Sequence, residues 1–441
     1  MADNTILPGV GETYAAAERG GVKFQKVLIQ PFDSANCDAF GRFRTSAPTT
    51  IFESKLLHGD NQTLFWDESL ESGTMATTGP TAAKPFIDFI STNVTAGKRT
   101  RQTFQHFNYQ PGKSLLITMT GILELASGVK TGCERRIGYF NNNNGAFFES
   151  DAGTIGVTIR TNDTGSPVDI TVAQASWNVD TMDGGADAAN PSGLTLDATK
   201  AQVFVIDFQW LSVGRVRFGF EINGFLHYVH EHNTANTSTV PWTSTPNLPL
   251  RYQIITTTSS GVCSMRVICA AVISEGGEDT ATGIVRHKGT AGAGVTTDAE
   301  NSLFAVVGLK LKSTHLGAKI QIIKAVMQVH TASEFLEWIV IHNPVVAGTF
   351  TYSNLTNSVV QTALGAGATN TVTGGTHING GYLESGGGSS GQGSASGEQA
   401  TTLSLGSAID GTRDTVVLCV RPIGGVSVAT VEGALVWREI A

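Results

Sequence analysis

The residues best suited to chemistry in this 441-residue chain crowd into one stretch, RVRFGFEINGFLHYVHEH, residues 215–232. It holds three histidines and a glutamate within six positions: His227, His230, Glu231 and His232. Imidazole nitrogens and a carboxylate are the donor set of a zinc site, and a zinc-bound water would make such a site hydrolytic. Whether they can act together depends on the elements that carry them. Val216, Phe218, Phe220 and Ile222 alternate with Arg217, Gly219 and Glu221, the period of a half-buried strand. Asn223-Gly224 follows, a pair that tolerates the positive φ of a tight type I′ hairpin turn. A two-residue turn sets Ile222 opposite Phe225, Phe220 opposite His227, Phe218 opposite Val229, Arg217 opposite His230 and Arg215 opposite His232. The core face then carries Val216, Phe218, Phe220, Ile222, Phe225 and Val229. On the other face His230 and His232 each meet an arginine that repels a cation, and His227 points away from them. The reading is a structural hairpin with no metal site.

Other candidates are weaker in spacing. Gly112-Lys113-Ser114 resembles the tail of a phosphate loop, but Phe107 stands where that loop requires glycine. No nucleophile elbow, HExxH or EF-hand pattern occurs. The acidic loop holding Asp180, Asp183 and Asp187 is a candidate calcium loop through its oxygen ligands, against the plainer reading of a Gly/Asp turn. Trp66 and Trp242 are candidate carbohydrate contacts, since an exposed ring stacks on a sugar; the plainer reading of both is core packing. No pair of acids stands out for glycosidase chemistry. No catalytic residue, metal ligand or cofactor is assigned.

The composition is that of a β-rich, loop-rich protein. Charged residues make up 15%, and there are 51 glycines. A formal net charge of −8 argues against a nucleic-acid partner. The five cysteines, Cys37, Cys133, Cys263, Cys269 and Cys419, are scattered and odd in number, without a CxxC pair. They read as reduced residues of a cytosolic product. No basic-then-apolar leader opens the chain and no run reaches the roughly 18 apolar residues of a membrane span, so neither secretion nor a membrane partner is expected.

The expected fold is all-β, with two β-sandwich domains of jelly-roll or lectin-like type and an extended N-terminal arm. Residues 1–45 form the arm, with Val27-Leu28-Ile29 as one short strand. Residues 46–277 are a succession of short strands separated by turn clusters, including Ser114–Met119, Gly156–Arg160, Gln202–Phe208 and Ser264–Ser274. The order of a strand ending in Trp210, the Asn-Gly turn and the strand after it resembles the back half of a concanavalin-type jelly roll. Residues 278–441 are a second sandwich, with strands at Ser302–Lys310, Lys319–His330, Leu336–His342, Thr415–Arg421 and Ala434–Glu439. A Gly/Ser-rich insertion at 374–399 interrupts it as a flexible excursion.

Several long blocks resemble a family of structural proteins of tailed bacteriophages, of the kind found in aquatic and cyanobacterial phages. They are AFGRFRTSAPTTIFESK (39–55), LFWDES (64–69), TAGKRTRQTFQHFNYQPGKS (95–114), CERRIGYFNNNNGAFFES (133–150), DFQWLSVGRVRFGFEINGFLHYVHEHN (207–233) and STPNLPLRYQI (244–254), with LGSAIDGTRDTVVLCVRPI and VWREIA near the C terminus. The resemblance implies a non-enzymatic virion protein made in the host bacterial cytoplasm. It implies partners among other virion proteins and copies of itself in a homo-oligomer. Tail association, in a fibre, baseplate or neck, is the first reading. A capsid decoration or head-fibre protein is the second, and a lectin-like module binding a host surface glycan the third. A glycan-degrading enzyme ranks last, for want of an acid pair.

Overall fold

A computed structural model describes residues 3–6, 13–19, 22–25, 47–91, 96–125, 131–185, 187–257, 262–277, 283–330, 335–384, 394–398 and 404–440. The chain divides into two units, Met1–Ala47 and Pro48–Ala441. The first holds a three-stranded antiparallel sheet of Asp3–Ile6, Thr13–Arg19 and Val22–Gln25. The expectation of an extended arm gives way to a small meander there, and the strand expected at Val27–Ile29 lies outside the described residues.

The second unit is all-β and contains two sandwiches. In the first, a seven-stranded sheet runs in the order Val168–Ala173, Thr154–Thr161, Gly145–Asp151, Cys133–Phe140, Leu250–Thr256, Gly97–Thr103 and Trp66–Ser72. It faces an eight-stranded sheet ordered Phe225–His232, Val216–Ile222, Gln202–Phe208, Leu115–Ile122, Ser264–Ser274, Ile87–Ser91 and Met75–Thr78; Thr49–Ser54 also pairs with Ser264–Ser274. The period of two writes the core directly. Leu115, Ile117 and Met119 on one strand are buried at 1–2% exposure, as are Phe204, Ile206 and Phe208 on its neighbour. Opposite them, one row of the seven-stranded sheet runs through Tyr252, Ile137, Phe148 and Val157. The two sets close one aromatic-rich core.

The second sandwich packs a five-stranded sheet on a six-stranded one. The five-stranded sheet contains Ile284–Gly289, Thr430–Ile440, Lys319–Val329 and Ser394–Glu398, with Val295–Thr296 on Thr430–Ile440. The six-stranded order is Ser353–Asn354, Val360–Leu364, Phe304–Leu311, Thr415–Ile423, Phe335–His342 and Thr376–Glu384. Along Thr430–Ile440 burial alternates, turning Val431, Leu435 and Trp437 into the core. The expected strands from Ser302 to Glu439 reappear here with their ends shifted by up to four residues. The insertion expected at 374–399 differs. Thr376–Glu384 is a ladder strand on Phe335–His342, and Ser394–Glu398 pairs with Lys319–Val329. Ladder bonds come from the backbone, so a glycine-rich segment can join a sheet that its side chains do not advertise.

Hydrogen bonds that each use at least one main-chain group tie the sandwiches together. Ser407 N donates to Phe104 O at 3.0 Å, and Ile409 N to Asp67 Oδ2 at 2.8 Å. Asn247 Nδ2 donates to Gly317 O at 3.0 Å. At Gly406 the approach is so close that a Cβ would fall on the Phe104 carbonyl, which explains a glycine at that point.

The cysteines correct the sequence reading. Cys133, on the seven-stranded sheet, and Cys263, at the start of Ser264–Ser274, form a disulfide across the sandwich with Cα atoms 6.2 Å apart. Cys269 and Cys419 are free, and Cys37 lies outside the described residues.

Candidate functional site

The histidine hairpin forms around the expected turn, with Asn223 at φ 55° and Gly224 at φ 81°. Ile222 pairs with Phe225 and Phe220 with His227, as the two-residue turn requires. Beyond them a β-bulge shifts the register, so Phe218 meets His230, Arg217 meets Glu231 and Val216 meets His232. An extra residue puts neighbours on the same side: both Val229 and His230 are buried. His230 packs its ring 6.4 Å from that of Phe218, and its Nδ1 lies 3.4 Å from the Asn178 amide. Burial first, and then the neighbouring His232, hold His230 below the ordinary histidine range. Phe225, expected in the core, is 69% exposed at the hairpin tip. Arg215 pairs with Glu231 at 3.2 Å rather than facing His232. Among the described residues no three His, Cys, Asp or Glu side chains are grouped to hold a metal ion.

The three acids of the candidate calcium loop are already engaged. Asp180 accepts from the Met182 and Ser192 amides at 2.9 and 3.1 Å. Asp183 accepts from Gly185 N and Asn190 Nδ2, and Asp187 from the amides of Ala189 and Asn190. Carboxylates turned onto their own backbone make Asx turns that brace the loop. Trp66 and Trp242 are core side chains, 4% and 3% exposed, which corrects their candidacy as sugar contacts. Trp66 donates to Ser54 Oγ at 2.8 Å beneath the Arg101 guanidinium, and Trp242 meets Phe208 edge-on at 5.5 Å. Neither presents a ring to a ligand.

A concavity lies where the sandwiches meet. It is a cleft of about 750 Å³ lined by Thr50, Phe52 and Glu53, by Leu64 and Phe65, by Phe104, and from the second sandwich by His342, His377 and Asp414 among others. Asp414 anchors its floor. Its Oδ1 accepts from Asn343 Nδ2 at 2.7 Å and its Oδ2 from Gly406 N at 2.9 Å. His342 Nε2 stands 3.6 Å from Asp414 Oδ1, beyond hydrogen-bond length, and has no hydrogen-bond partner although the side chain is only 5% exposed. Burial pushes the Asp414 carboxyl up, but the adjacent His342 ring and the bonds from Asn343 and Gly406 outweigh it and hold the carboxyl below its ordinary value.

Ser404 also lines the cleft, so serine, histidine and aspartate share one wall. A nucleophilic relay needs the hydroxyl bonded to the base. The Ser404 hydroxyl instead donates to Ile320 O at 3.4 Å. Ser404, His342 and Asp414 therefore do not form such a relay in this arrangement. Sequence spacing could not have found the cleft, because residues 50–53, 342, 377 and 414 come from four separate segments.

No protein-family model matches the chain, and no curated protein matches it. Among solved structures it is similar to an endo-1,3-beta-glucanase from Streptomyces sioyaensis, at 9% identity and TM-score 0.33 over 54% of this chain and 99% of that one. It is similar to the CBM2 module of the evolved Dit of Lactobacillus casei BL23 phage J-1, at 9% identity and TM-score 0.33 over 54% and 100%. A legume lectin-like domain from Entamoeba histolytica is similar at 9% identity and TM-score 0.30 over 50% and 95%. Likeness at this level carries no residue role to the present chain. No described helix is long and apolar enough to cross a membrane, which says nothing of a β-barrel.

Proposed function

We propose that this chain is a non-enzymatic structural protein of a tailed-bacteriophage particle, tail-associated in a fibre, baseplate or neck, and acting as a homo-oligomer among other virion proteins. The observation that supports this reading is where the blocks of resemblance fall. They lie on Gly97–Thr103, Cys133–Phe140, Gly145–Asp151, the histidine hairpin, Leu250–Thr256 and Thr415–Ile423. Their side chains are framework: Arg101, Tyr139, Phe148, Phe218 and Tyr252 are all at most 2% exposed. A resemblance concentrated in a scaffold fits a subunit whose task is shape and contact. Of the histidines and acids singled out for chemistry, His230 is spent on packing, Glu231 on an ion pair with Arg215, and Asp180, Asp183 and Asp187 on loop bonds.

The test is to image purified particles carrying the chain with a gold-labelled antibody raised against the exposed turn Asp163–Ser166. Label on the tail or neck is the expected result. Label spread over the head makes the chain a capsid decoration or head-fibre protein. Saturable binding of a host surface glycan by the purified protein favours the lectin-like module, and release of reducing ends from it overturns the non-enzymatic reading. Absence of both label and peptides from purified particles overturns the structural reading altogether.

A further inference from the structure

The residues lining the junction cleft come in unbroken runs: Thr50, Ile51, Phe52 and Glu53 on one side, Thr376, His377 and Ile378 on the other. Successive residues of a strand point to opposite faces. A strand that walls a cavity with its face therefore contributes every second residue, and one that contributes every residue presents its edge. The ladders agree. Among the described residues Thr49–Ser54 pairs with Ser264–Ser274 alone, and Thr376–Glu384 is the terminal strand of the six-stranded sheet. The cleft thus runs between the edges of two sheets.

Strand edges are templates for further strands, and folded proteins guard them with charge, bulges or covering loops. This edge is only partly guarded. Ile51 is the extra residue of a bulge and Glu53 is exposed. Beside it stand Leu64 and Phe65, adjacent in sequence, 47% and 44% exposed, with Ile51, Phe104 and Ile378 half-buried. The charge is one-sided. The lining includes Glu53 and Asp414 and neither lysine nor arginine. Lys55 reaches Glu53 at 3.1 Å, but both side chains are more than half exposed, so water and salt weaken that pair. His342 Nε2, buried and unpartnered, is a further polar group on the wall.

We propose that the cleft receives an extended segment of a neighbouring protein of the assembly, laid as an added strand along Thr49–Ser54, in which apolar side chains alternate with lysine or arginine. Main-chain bonds to the open edge hold it, Leu64 and Phe65 receive its apolar side chains, and the exposed Glu53 receives its cations, with the buried Asp414 carboxylate adding negative charge beneath. The edge is six residues long, about 20 Å, which sets the length of the segment. The identity of the partner rests on the particle reading, whereas the chemistry of the cleft does not.

The experiment uses the purified full chain and a fluorescein-labelled octapeptide alternating valine or phenylalanine with lysine, followed by anisotropy. Two control peptides carry glutamate in place of lysine, or N-methylated amides on alternate residues. The expected result is saturable binding of the lysine peptide, weakened at least about tenfold by glutamate replacement and abolished by N-methylation. Glu53→Lys should weaken the lysine peptide about tenfold and improve the glutamate one, with Leu64→Asp weakening both. Circular dichroism of both variants keeps a folding defect from passing as a binding defect, and both sites are exposed enough to tolerate the change. Absence of saturable binding overturns the inference, as does equal affinity for the three peptides or affinity unmoved by either variant. Binding that survives N-methylation makes the cleft a pocket for side chains alone and overturns strand addition. These outcomes are read on isolated protein, so they stand apart from whether antibody label falls on a particle.

Discussion

The two sandwiches share one architecture and close it with different chemistry. The first has a core of stacked rings: Phe148 lies 5.0–5.4 Å from Phe204, Phe218 and Phe220. It also buries three arginines, Arg101, Arg135 and Arg251, each at most 2% exposed. Arg101 reaches Glu68 at 2.5 Å, whereas Arg251 has amide oxygens, Asn142 Oδ1 at 2.6 Å and Gln102 Oε1 at 2.9 Å, as its hydrogen-bond partners. Burial, with Arg160 nearby, pulls the Arg251 guanidinium down to about 9. The second sandwich is filled with Val, Leu and Ile around Trp338 and Trp437, and Lys319, Glu439, His342 and Asp414 are charged or titratable groups buried at strand ends and in the loop before Thr415. The difference teaches where each half is vulnerable. Apolar packing carries no titrating group and so is indifferent to pH, while a buried polar network depends on every partner.

The largest effects should therefore be alike in the two halves, because both rest on packing. Phe148→Ala should cost about 3–5 kcal/mol and Leu418→Ala about 2–5 kcal/mol, read by chemical denaturation. A loss under 1 kcal/mol at Leu418 would mean that the second core is loosely packed, and would break the comparison at its base.

Acid should separate them. Burial, and then the charge of Arg251, push His106 down to about 4. The folded chain holds this ring neutral, while the unfolded chain takes up a proton below about 6.5. Its contribution is complete above pH 6.5 and is lost as pH falls toward 4, a swing of about 3 kcal/mol. His230 and His232, both lowered by burial, act in the same direction. In the second sandwich the buried depressed carboxyl is Asp414, whose contribution survives until pH falls below the ordinary aspartate value of about 3.9. Denaturation of the whole chain between pH 7 and 4.5 should show the first sandwich weakening alone, and His106→Asn should flatten that slope. Equal weakening of both halves would count against the assignment.

Reduction should also discriminate. The Cys133–Cys263 bond closes a loop over a separation of 130 residues in the first sandwich. Its loss should cost about 2–4 kcal/mol there. A reductant that leaves thermal unfolding of the first sandwich unmoved would show that the bond adds nothing to it.

What could be read in advance follows the range of each signal. Alternation is local, so the all-β class, the Asn-Gly turn and strands such as Gln202–Phe208 were legible. The bulge beside Gly219 was not read: a lone glycine within a strand is compatible with a bulge but does not fix where the extra residue falls, and here it reversed the expected facing of His230. Trp66 was ambiguous because a strand pattern tells which residues share a face but not what that face packs against. Neither the disulfide nor the cleft carries a local signal, since 133 with 263, and 53 with 414, meet only after both sheets have formed.

The smallest effect returns to the hairpin and sets two neighbouring arginines against each other. Arg215 pairs with Glu231 at 3.2 Å with its side chain 45% exposed. Arg217 pairs with Asp207, whose side chain is 5% exposed and also accepts from the Tyr228 hydroxyl at 2.7 Å. An exposed pair is screened and costs side-chain freedom, so Arg215→Ala should change stability by less than about 1 kcal/mol. Removing Arg217 strips a buried carboxylate of its cation, and Arg217→Ala should cost about 1–3 kcal/mol. The pair is read most cleanly as a ratio in one denaturation series at two salt concentrations. Added salt should erase the Arg215 effect and leave most of the Arg217 effect, because a Debye length of about 8 Å at physiological ionic strength acts on solvated charges and much less on a covered one. Equal losses from the two substitutions would mean that Asp207 is wet, and that the polar face of this hairpin is no more ordered than an ordinary solvated strand.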